Sequence, residues 1–436
     1  MVFPVGVNEI LHTLEQNGHE AYPVGGCVRD LLMGKTPGDW DITTSARPEE
    51  VLTLFPHSIP TGLQHGTVTV KSHGENFEVT TFRADGSYAD HRHPDAVRFT
   101  NTLQEDLQRR DFTVNAMAMD LRGKLYDFYG GQDDLRRGIL RCVGDPGCRF
   151  GEDALRIMRA LRFAATLGFA IDAETAESLR KHQQELSQIA VERICVEMTK
   201  LLCGKNVAEV LLKYPEVIGV FLPEILPCVG LEQHNPHHCY DVWGHTAHSV
   251  AAIVPEPILR WTMLLHDLGK GSTFTMDEQG VGHFYGHGKA SVALAEGITD
   301  QLRFSREMKK RIIELVDWHD RDVPRTEKSI RRCLYHLGEE GVRQLIAVKR
   351  ADNAAQHPDY QGRSAEMDKA ERILQDILDA DACFSLRQLA VNGDDLLALG
   401  LQGKAVGEAL SFLLEQVMDG KVSNEKDALL YEIAKG

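Results

Sequence analysis

The sequence predicts an α+β fold, in which a small head with a mixed sheet is followed by an all-helical neck, body and tail. Short β-branched runs separated by glycine turns, such as Thr67 to Val70 and Phe77 to Phe82, indicate strands in the N-terminal part. From Glu152 onward, apolar residues recur at three- and four-residue steps, which is the spacing of a helix face. A chain of 436 residues also exceeds what one hydrophobic core usually serves, so several structural units are expected.

We expect the head at residues 1–142, the neck at 143–215, the body at 216–360 and the tail at 361–436. No internal repeat, low-complexity tract or long proline- and serine-rich linker marks the boundaries between these units. Only the head is expected to contain a sheet.

Composition and charge exclude several classes of protein. The net charge of −16 argues against a surface covered in nucleic-acid contacts, so any RNA contact must be local. Residues 303–350 carry 13 basic and 8 acidic residues and are the best candidate for such a contact, although a solvated helix face explains them about as well.

Nine cysteines without a CxxC pair match neither a disulfide framework nor a zinc site. No apolar run could span a bilayer and Met1 to Ile10 lacks signal-peptide features, so a cytoplasmic location is expected.

Two short patterns in the head suggest a phosphate- and metal-binding site. Gly25 and Gly26 precede an apolar run, which suits a tight turn whose bare backbone can approach a phosphate at the start of a helix. Asp39 and Asp41 are two residues apart, so on a strand their carboxylates project to one face. Neighbouring carboxylates repel unless a cation lies between them, and Mg²⁺ prefers such hard oxygen ligands. Alone, a glycine pair is more often only a turn, and an aspartate pair more often lies in a solvated loop. The combination of the two patterns is what predicts a phosphate- and metal-binding site.

Three ordered motifs resemble those of a known family. They are Gly25-Gly26-x-Val28-Arg29-Asp30 with Asp39-x-Asp41, then Arg109-Arg110-Asp111-Phe112-Thr113-x-Asn115-Ala116, and finally the segment from Glu152 to Phe163. The chain resembles the class II tRNA nucleotidyltransferase and bacterial poly(A) polymerase family. The resemblance is dense over the first half of the chain and reaches the second half only through histidine motifs.

The resemblance implies template-independent addition of C, C and A to the 3′ end of tRNA, using CTP and ATP, with Mg²⁺ as cofactor and pyrophosphate as product. Asp39 and Asp41 would be the catalytic residues and the Mg²⁺ ligands. One ion would activate the attacking hydroxyl and another would steady the departing pyrophosphate. The residues expected to contact the nucleotide are Gly26, Arg29 and Arg110, the last near the triphosphate. Asp111 is a candidate for a ribose contact or a supporting carboxylate.

A polymerase without a template must choose its nucleotide with side chains that complement the Watson–Crick edge. Asp153 and Arg156 are three residues apart, so on one helix they would be surface neighbours. The carboxylate can accept from the exocyclic amine that cytosine and adenine share, and the guanidinium can donate to a ring nitrogen or carbonyl. Arg159 and Arg162 continue at three-residue steps and are assigned to positioning the triphosphate or base. Without the resemblance, an exposed helix salt bridge would explain the Asp153–Arg156 pair better.

The segment from Arg83 to Pro94 is polar and has neither helix nor strand period, which indicates a mobile loop. In the family, such a loop accompanies enzymes that switch from cytosine to adenine addition. Its presence favours complete CCA activity or an A-adding role, and a long surface loop is the alternative.

A second group of residues lies in the helical half, where eight of the 19 histidines fall between His234 and His287. His266-Asp267-Leu268-Gly269-Lys270, with His245 before it and His283, His287 and His319-Asp320 after it, resembles an HD phosphohydrolase domain. The residues expected to bind a second divalent metal are His245, His266, Asp267 and His287. Such a metal would polarise a phosphate and lower the pKa of bound water, so a second, phosphohydrolase activity is a hypothesis. A degenerate domain that only packs against RNA is the alternative.

Other functions stay open at this point. Poly(A) polymerase shares the head motifs but usually brings a basic extension, which the acidic segment at Asn424 to Asp427 does not provide. An enzyme that performs only part of CCA addition would carry the same motifs. A phosphohydrolase centred on His266 and Asp267, or an RNA-binding protein without catalysis, is disfavoured by the intact Asp39 and Asp41.

Overall fold

The computed structural model describes residues 3–85, 97–380 and 382–435. They form two compact units. The first unit contains the chain up to Asn206 together with Glu216–Phe221, and the second contains Val207–Pro215 and the chain from Leu222 onward. The four predicted units divide the chain more finely and stay a prediction.

The first unit is built around a five-stranded sheet. Its strands, including those of three short pairs outside the sheet, are β1 (Ala21–Pro23), β2 (Asp41–Thr44), β3 (Ile59–Gly62), β4 (Thr67–Ser72), β5 (Glu75–Thr81), β6 (Arg83–Asp85), β7 (Val97–Phe99), β8 (Met117–Met119), β9 (Leu125–Asp127), β10 (Ile139–Leu140) and β11 (Ala170–Ile171). The sheet order is β1-β2-β5-β4-β3, with β2 and β5 parallel and the other neighbours antiparallel. The predicted mixed sheet of the head is confirmed.

Helices surround this sheet and continue beyond it. They are α1 (Val5–Gln16), α2 (Gly26–Leu32), α3 (Pro48–Leu54), α4 (Leu103–Gln108), α5 (Gly131–Arg137), α6 (Pro146–Glu152), α7 (Leu155–Leu167), α8 (Ala173–His182) and α9 (Val191–Leu202). The apolar face of α1, with Val7, Ile10 and Leu14, is fully buried in the core that the sheet shares. A Cβ at Gly6 would lie 2.7 Å from the ring of Phe77 on β5, so the close approach of α1 to the sheet requires glycine.

In its described residues, the second unit is helical apart from one short strand pair and the connecting turns. Its elements include α10 (Val207–Lys213), and then, after α11 (Pro215–Ile218) at the boundary, α12 (Val242–Ala252), α13 (Pro257–Leu265), α14 (Lys270–Thr273), β12 (Thr275–Met276), β13 (Gly282–His283), α15 (His287–Gln301), α16 (Arg306–His319), α17 (Glu327–Ala354), α18 (Ser364–Asp379), α19 (Gly393–Ala398), α20 (Lys404–Met418) and α21 (Lys426–Ala434). Its predicted helical character is confirmed. Across the described parts of the chain, no helix is both long and apolar enough to cross a membrane.

Two local expectations are wrong. The helix pattern from Glu152 is interrupted, because Asp153 is extended (φ −145°, ψ 102°) and its carboxylate accepts from the Leu155 backbone N–H at 3.0 Å. Such a side-chain bond offers the backbone an alternative to continuing the helix. The predicted loop from Arg83 also begins as strand β6, which pairs with β7. Residues 86–94 of that prediction lie outside the described residues.

Candidate functional site

Three carboxylates of the first unit lie around the start of β2. Asp41 is the first residue of β2, whereas Asp39 precedes the strand, so the expectation that both lie on one strand is wrong for Asp39. Glu78 on β5 stands directly beside Asp41 in the parallel register. Paired strand residues project to the same face, so Glu78 adds a third oxygen donor.

The protonation of this cluster favours a bound cation. Burial raises the pKa of the Asp41 carboxyl, Arg110 lowers it, and the like charge of Asp39 raises it again. Burial likewise raises the pKa of Glu78, and the charges of Asp41 and Asp39 raise it further. A divalent cation would relieve this repulsion and hold the carboxylates in their charged form, so the donor set fits Mg²⁺.

Arg110 lies between the glycine turn and the carboxylates. Gly25 has φ +80°, a backbone conformation that favours glycine, and a Cβ there would lie 2.9 Å from Arg110 Nη1 and displace that guanidinium. The Val24 N–H donates to the Asp41 carbonyl at 3.0 Å, which fixes the turn beside β2, and α2 begins at Gly26 as the sequence predicts. Arg110 Nε is buried without a hydrogen-bond partner in the described parts of the chain. A phosphate oxygen would satisfy this donor.

Arg29 connects the three motifs. Its Nη1 donates to Asn115 Oδ1 at 2.6 Å and its Nε donates to Asp30 Oδ1 at 2.9 Å. Its guanidinium carbon lies 5.4 Å from the ring centroid of Phe163 on α7. These contacts give Arg29 a positioning role, and its predicted contact with the nucleotide stays a prediction.

Asp153 and Arg156 occupy the junction of α6 and α7, each bound to a different partner. The Arg193 Nη2 donates to Asp153 Oδ2 at 2.9 Å. The buried Arg156 guanidinium binds Glu152 and donates to the Arg109 carbonyl at 3.0 Å. The two side chains are therefore not an exposed helix pair, and their contact with a base stays a prediction.

Arg159 and Arg162 extend along α7 into a buried ionic network. Arg159 donates from Nε and Nη2 to Asp111 Oδ2, at 2.8 Å and 2.6 Å. Arg162 binds Glu197 on α9, and its guanidinium carbon lies 3.8 Å from the ring centroid of Phe163. This network anchors α7 to the second motif and to α9, and a direct role of Arg159 and Arg162 at the nucleotide stays a prediction.

The second unit brings together all four predicted ligands of the second metal. The ligand atoms of His245, His266 and Asp267 lie within 4.8 Å of one another, and so do those of Asp267, His287 and His319. His283, in contrast, pairs with Asp277 at 2.9 Å. The assignment of this region as an HD domain, and of these residues as metal ligands, stays a prediction.

A cavity of about 450 Å³ opens beside this cluster. It is lined by Asp267, His287, His319 and Asp352 together with the cationic residues Lys270, Arg321, Lys349 and Arg363. His238 also lines the cavity, and burial lowers its pKa to about 3. Cationic side chains beside a candidate metal cluster suit an anionic ligand.

Three residues at these sites escaped prediction. Glu78 becomes visible only through strand register, because it lies 37 positions after Asp41 without a motif of its own. Asp352, whose Oδ1 lies 2.9 Å from His245 Nε2, sits inside a helix with ordinary sequence pattern. Arg193, the partner of Asp153, is one of several charged residues on α9, and no sequence motif distinguishes it from the others.

Family models match three parts of the chain. Residues 21–141 match the poly A polymerase head domain, residues 168–226 an RNA and SrmB-binding site of polymerase A, and residues 284–433 the tRNA nucleotidyltransferase domain 2. The first match contains the carboxylate cluster, and the third contains His287, His319 and Asp352.

Relatives named CCA-adding enzyme match along nearly the whole chain. The one from Bacillus pumilus is 36% identical over 96% of this chain and 94% of its own length, and the one from Levilactobacillus brevis is 36% identical over 97% and 95%. The one from Oceanobacillus iheyensis is 51% identical, but that match spans only about half of the two chains, 50% of this one and 54% of the relative.

Solved structures agree with these matches. A Bacillus stearothermophilus CCA-adding enzyme, solved in complex with CTP, is 31% identical, with a TM-score of 0.75 over 99% of this chain and 97% of that chain. A Thermotoga maritima CCA-adding enzyme, complexed with tRNA, is 20% identical with a TM-score of 0.61 over 100% and 96%, which shows the shared fold alone. Because relatives above 30% identity align over nearly their full length, this chain belongs to the family of CCA-adding enzymes.

Proposed function

We propose that this chain adds C, C and A to the 3′ end of tRNA without a nucleic-acid template, taking CMP from CTP and AMP from ATP and releasing pyrophosphate. The observation that carries the proposal is the full-length match to CCA-adding enzymes, with Asp39, Asp41 and Glu78 clustered in the first unit. A poly(A) polymerase and an enzyme of partial CCA addition are the alternatives that the first experiment separates.

The residues of the first unit divide the reaction between them. The 3′ oxygen of tRNA forms a bond to the α-phosphorus, the bond from that phosphorus to the bridging oxygen of pyrophosphate breaks, and the hydroxyl proton passes to solvent. Asp39 and Asp41, with Glu78 beside them, would hold Mg²⁺, and the ion would supply acidification of the attacking hydroxyl and neutralisation of the leaving group. Arg110 would orient the triphosphate, because its buried Nε has no hydrogen-bond partner in the described part of the chain.

Base choice would fall to Asp153 and Arg156. The Asp153 carboxylate accepts from the amine that cytosine and adenine share, and Arg156 donates to the adjoining acceptor. Both must first exchange partners, Asp153 from Arg193 and Arg156 from Glu152. Giving up these charged partners is costly for any base. Uracil and guanine lack the matching edge, so they would not offset that cost and would not displace the partners.

The proposal is tested by incubating tRNA that lacks its terminal nucleotides with each labelled triphosphate, singly and in combination, and sizing the product. We expect two CMP additions with CTP, one further AMP addition when ATP is also present, and then arrest. A long run of A would identify a poly(A) polymerase, and arrest before A would identify partial addition.

The metal-binding carboxylates are tested separately. Asp39→Ala and Asp41→Ala should each abolish nucleotide addition and leave tRNA binding nearly intact, because they remove metal ligands and not RNA contacts. Asp133→Ala, which removes an exposed partner of Arg136 in the same unit, is the control and should retain full activity. Substantial turnover in either active-site variant would mean that the metal is held elsewhere.

A second activity is favoured by the histidine cluster of the second unit. We propose metal-dependent hydrolysis of a phosphate ester, for which His245, His266, Asp267 and His287 supply ligands and the adjoining cavity supplies cationic side chains. The double variant His266→Ala/Asp267→Ala should lose metal-stimulated hydrolysis of bis(p-nitrophenyl) phosphate and keep wild-type CMP incorporation. Loss of both activities in a folded protein would contradict two independent sites.

A further inference from the structure

Asp106 on α4 is a buried carboxylate to which the proposed reaction assigns no part. Its side chain is fully buried, and it lies one helical turn before Arg109 and Arg110. A charged carboxylate is tolerated in a protein interior only where cations and hydrogen bonds offset the loss of water. The groups around Asp106 therefore indicate what this carboxylate holds in place.

The two oxygens of Asp106 have different partners. Oδ1 accepts from Arg109 Nε at 3.0 Å and from Arg109 Nη2 at 2.8 Å, and the Arg83 backbone N–H donates to it at 3.3 Å. Oδ2 accepts from the Thr43 hydroxyl at 3.0 Å. One carboxylate thus connects the end of α4 to strands β2 and β6.

The bond to Thr43 ties Asp106 to the strand that carries Asp41. Thr43 stands two residues after Asp41 on β2, so their side chains project to the same face of the sheet. The Thr43 side chain is fully buried, and its bond to Asp106 is buried as well. Asp106 is therefore fixed relative to one of the carboxylates proposed to hold Mg²⁺.

The same oxygen, Oδ2, also faces Arg110. Arg110 Nη2 lies 3.6 Å from it, which is an ionic contact longer than a hydrogen bond. On its other side the guanidinium adjoins the glycine turn, where a Cβ at Gly25 would lie 2.9 Å from Nη1. Among the residues that the structure describes, the buried Arg110 Nε has no hydrogen-bond partner. Asp106 thus holds Arg110 by charge while its Nε–H is left for a ligand.

The charges around Asp106 suit an anionic ligand. Burial alone would raise the pKa of the Asp106 carboxyl, but the Arg109 and Arg110 guanidinium groups outweigh burial and lower it. The carboxyl is therefore ionised at neutral pH. Because one carboxylate faces two guanidinium groups, a positive charge remains to attract a phosphate.

We propose that Asp106 is a positioning residue for the triphosphate, which fixes the Arg110 guanidinium so that Nε donates to a phosphate oxygen of the bound nucleotide. This inference rests on the proposed nucleotidyl transfer and adds to it a residue that does not itself touch the nucleotide. Since Thr43 joins Asp106 to β2, the same carboxylate keeps Arg110 in a fixed position relative to Asp41.

The test measures binding of labelled CTP to the full chain by equilibrium dialysis, with MgCl₂ and without tRNA, so that no nucleotide is transferred. Pyrophosphate, which has phosphates but neither base nor ribose, is the competitor. Asp106→Asn should weaken binding of both ligands roughly 10-fold, as expected for the loss of a charge-assisted hydrogen bond. Arg110→Gln should weaken it at least as much. The double variant should bind no more weakly than Arg110→Gln alone, because Asp106 acts only through Arg110.

Asp134→Asn is the matched control. Asp134 is also buried in the first unit, but it accepts from Thr113 at 2.8 Å and from Arg141 at 3.2 Å. This variant should keep wild-type affinity for both ligands, and circular dichroism should show that every variant is folded. Asp106→Glu retains the charge and should bind CTP with intermediate affinity. It carries the same comparison with Arg110→Gln if Asp106→Asn does not fold.

Three results would overturn the inference. They are wild-type affinity in the Asp106 variants, losses that multiply in the double variant, and a loss for CTP that spares pyrophosphate. The second would mean that Asp106 acts independently of Arg110, and the third that the lost contact is with the base or ribose. The expected binding pattern without CMP incorporation into tRNA would support the inference and contradict only the proposed function.

Discussion

Asp111 shows how one residue secures the geometry of the first unit. Burial alone would raise the pKa of its carboxyl, but the Arg159 guanidinium outweighs burial and lowers the pKa to about 2. A depressed carboxyl pKa stabilises the folded state at every pH above the unfolded value, about 3.9. That stabilisation is lost as the pH falls through the folded value. The second motif and α7 are therefore held together by a charge pair that survives mild acid.

We predict that Asp111→Asn lowers the free energy of unfolding by about 2–3 kcal/mol at pH 7, because one pKa unit corresponds to about 1.4 kcal/mol and Arg159 loses its partner. The difference between wild type and variant should shrink as the pH falls from 4 to 2. Urea unfolding across this range measures it, with the exposed Asp133→Asn as the control. If the difference in the free energy of unfolding does not change with pH, the Asp111 carboxyl does not have a lowered pKa in the folded state.

At the scale of elements, the parallel pairing of β2 and β5 adds Glu78 to the Asp39–Asp41 pair. We predict that Glu78→Gln raises the Mg²⁺ concentration for half-maximal CMP incorporation roughly 10- to 100-fold, as expected for a group that supports metal ligands. Glu75→Gln, on the same strand but three positions away, should behave as wild type. If the two variants show the same Mg²⁺ dependence, Glu78 does not contribute to Mg²⁺ binding.

Helix α17 contains a break that only glycine tolerates. Gly338 has φ 70° and ψ 175° inside the helix, and a side chain there would be strained. We predict that Gly338→Ala lowers the free energy of unfolding of the second unit by about 1–3 kcal/mol. Gly297→Ala, in an exposed position of α15, should instead be neutral or stabilising by up to about 1 kcal/mol because alanine favours helix. Thermal unfolding distinguishes the two, and equal effects would show that the break carries no strain.

The sequence predicts the elements better than their junctions. The mixed sheet and the helical second half follow from residue period, and the carboxylate and histidine motifs indicate both candidate sites. The break at Asp153 could not be predicted, because it depends on a side-chain bond that competes with the helix. Glu78 and Asp352 also depend on register and packing between distant segments, which a single sequence does not display.

At the scale of the whole molecule, the positive balance of residues 303–350 is largely offset by neighbouring acids. The ion pairs of this stretch include Arg321–Asp317, Arg331–Glu327, Arg332–Asp419, Arg343–Glu339 and Arg350–Glu371. They favour the interpretation as a solvated helix face over that of a dedicated RNA contact. Recognition of tRNA would then rely on local contacts, as the net charge of −16 also indicates.

In the proposed reaction, side chains of the first unit choose the nucleotide and no nucleic-acid template takes part. The direct measurement is kcat/KM for CTP, ATP, UTP and GTP on a tRNA primer that ends just before the first C, for wild type, Asp153→Ala and Arg156→Ala, with Arg136→Ala as the exposed control. We predict that discrimination against UTP and GTP falls by about 1–3 kcal/mol in each of the two site variants, as for a lost base contact. The double variant should be less than additive, because both residues contact one base edge. Equal losses toward all four nucleotides, with the wild-type preference retained, would contradict the claim and make Asp153 and Arg156 structural.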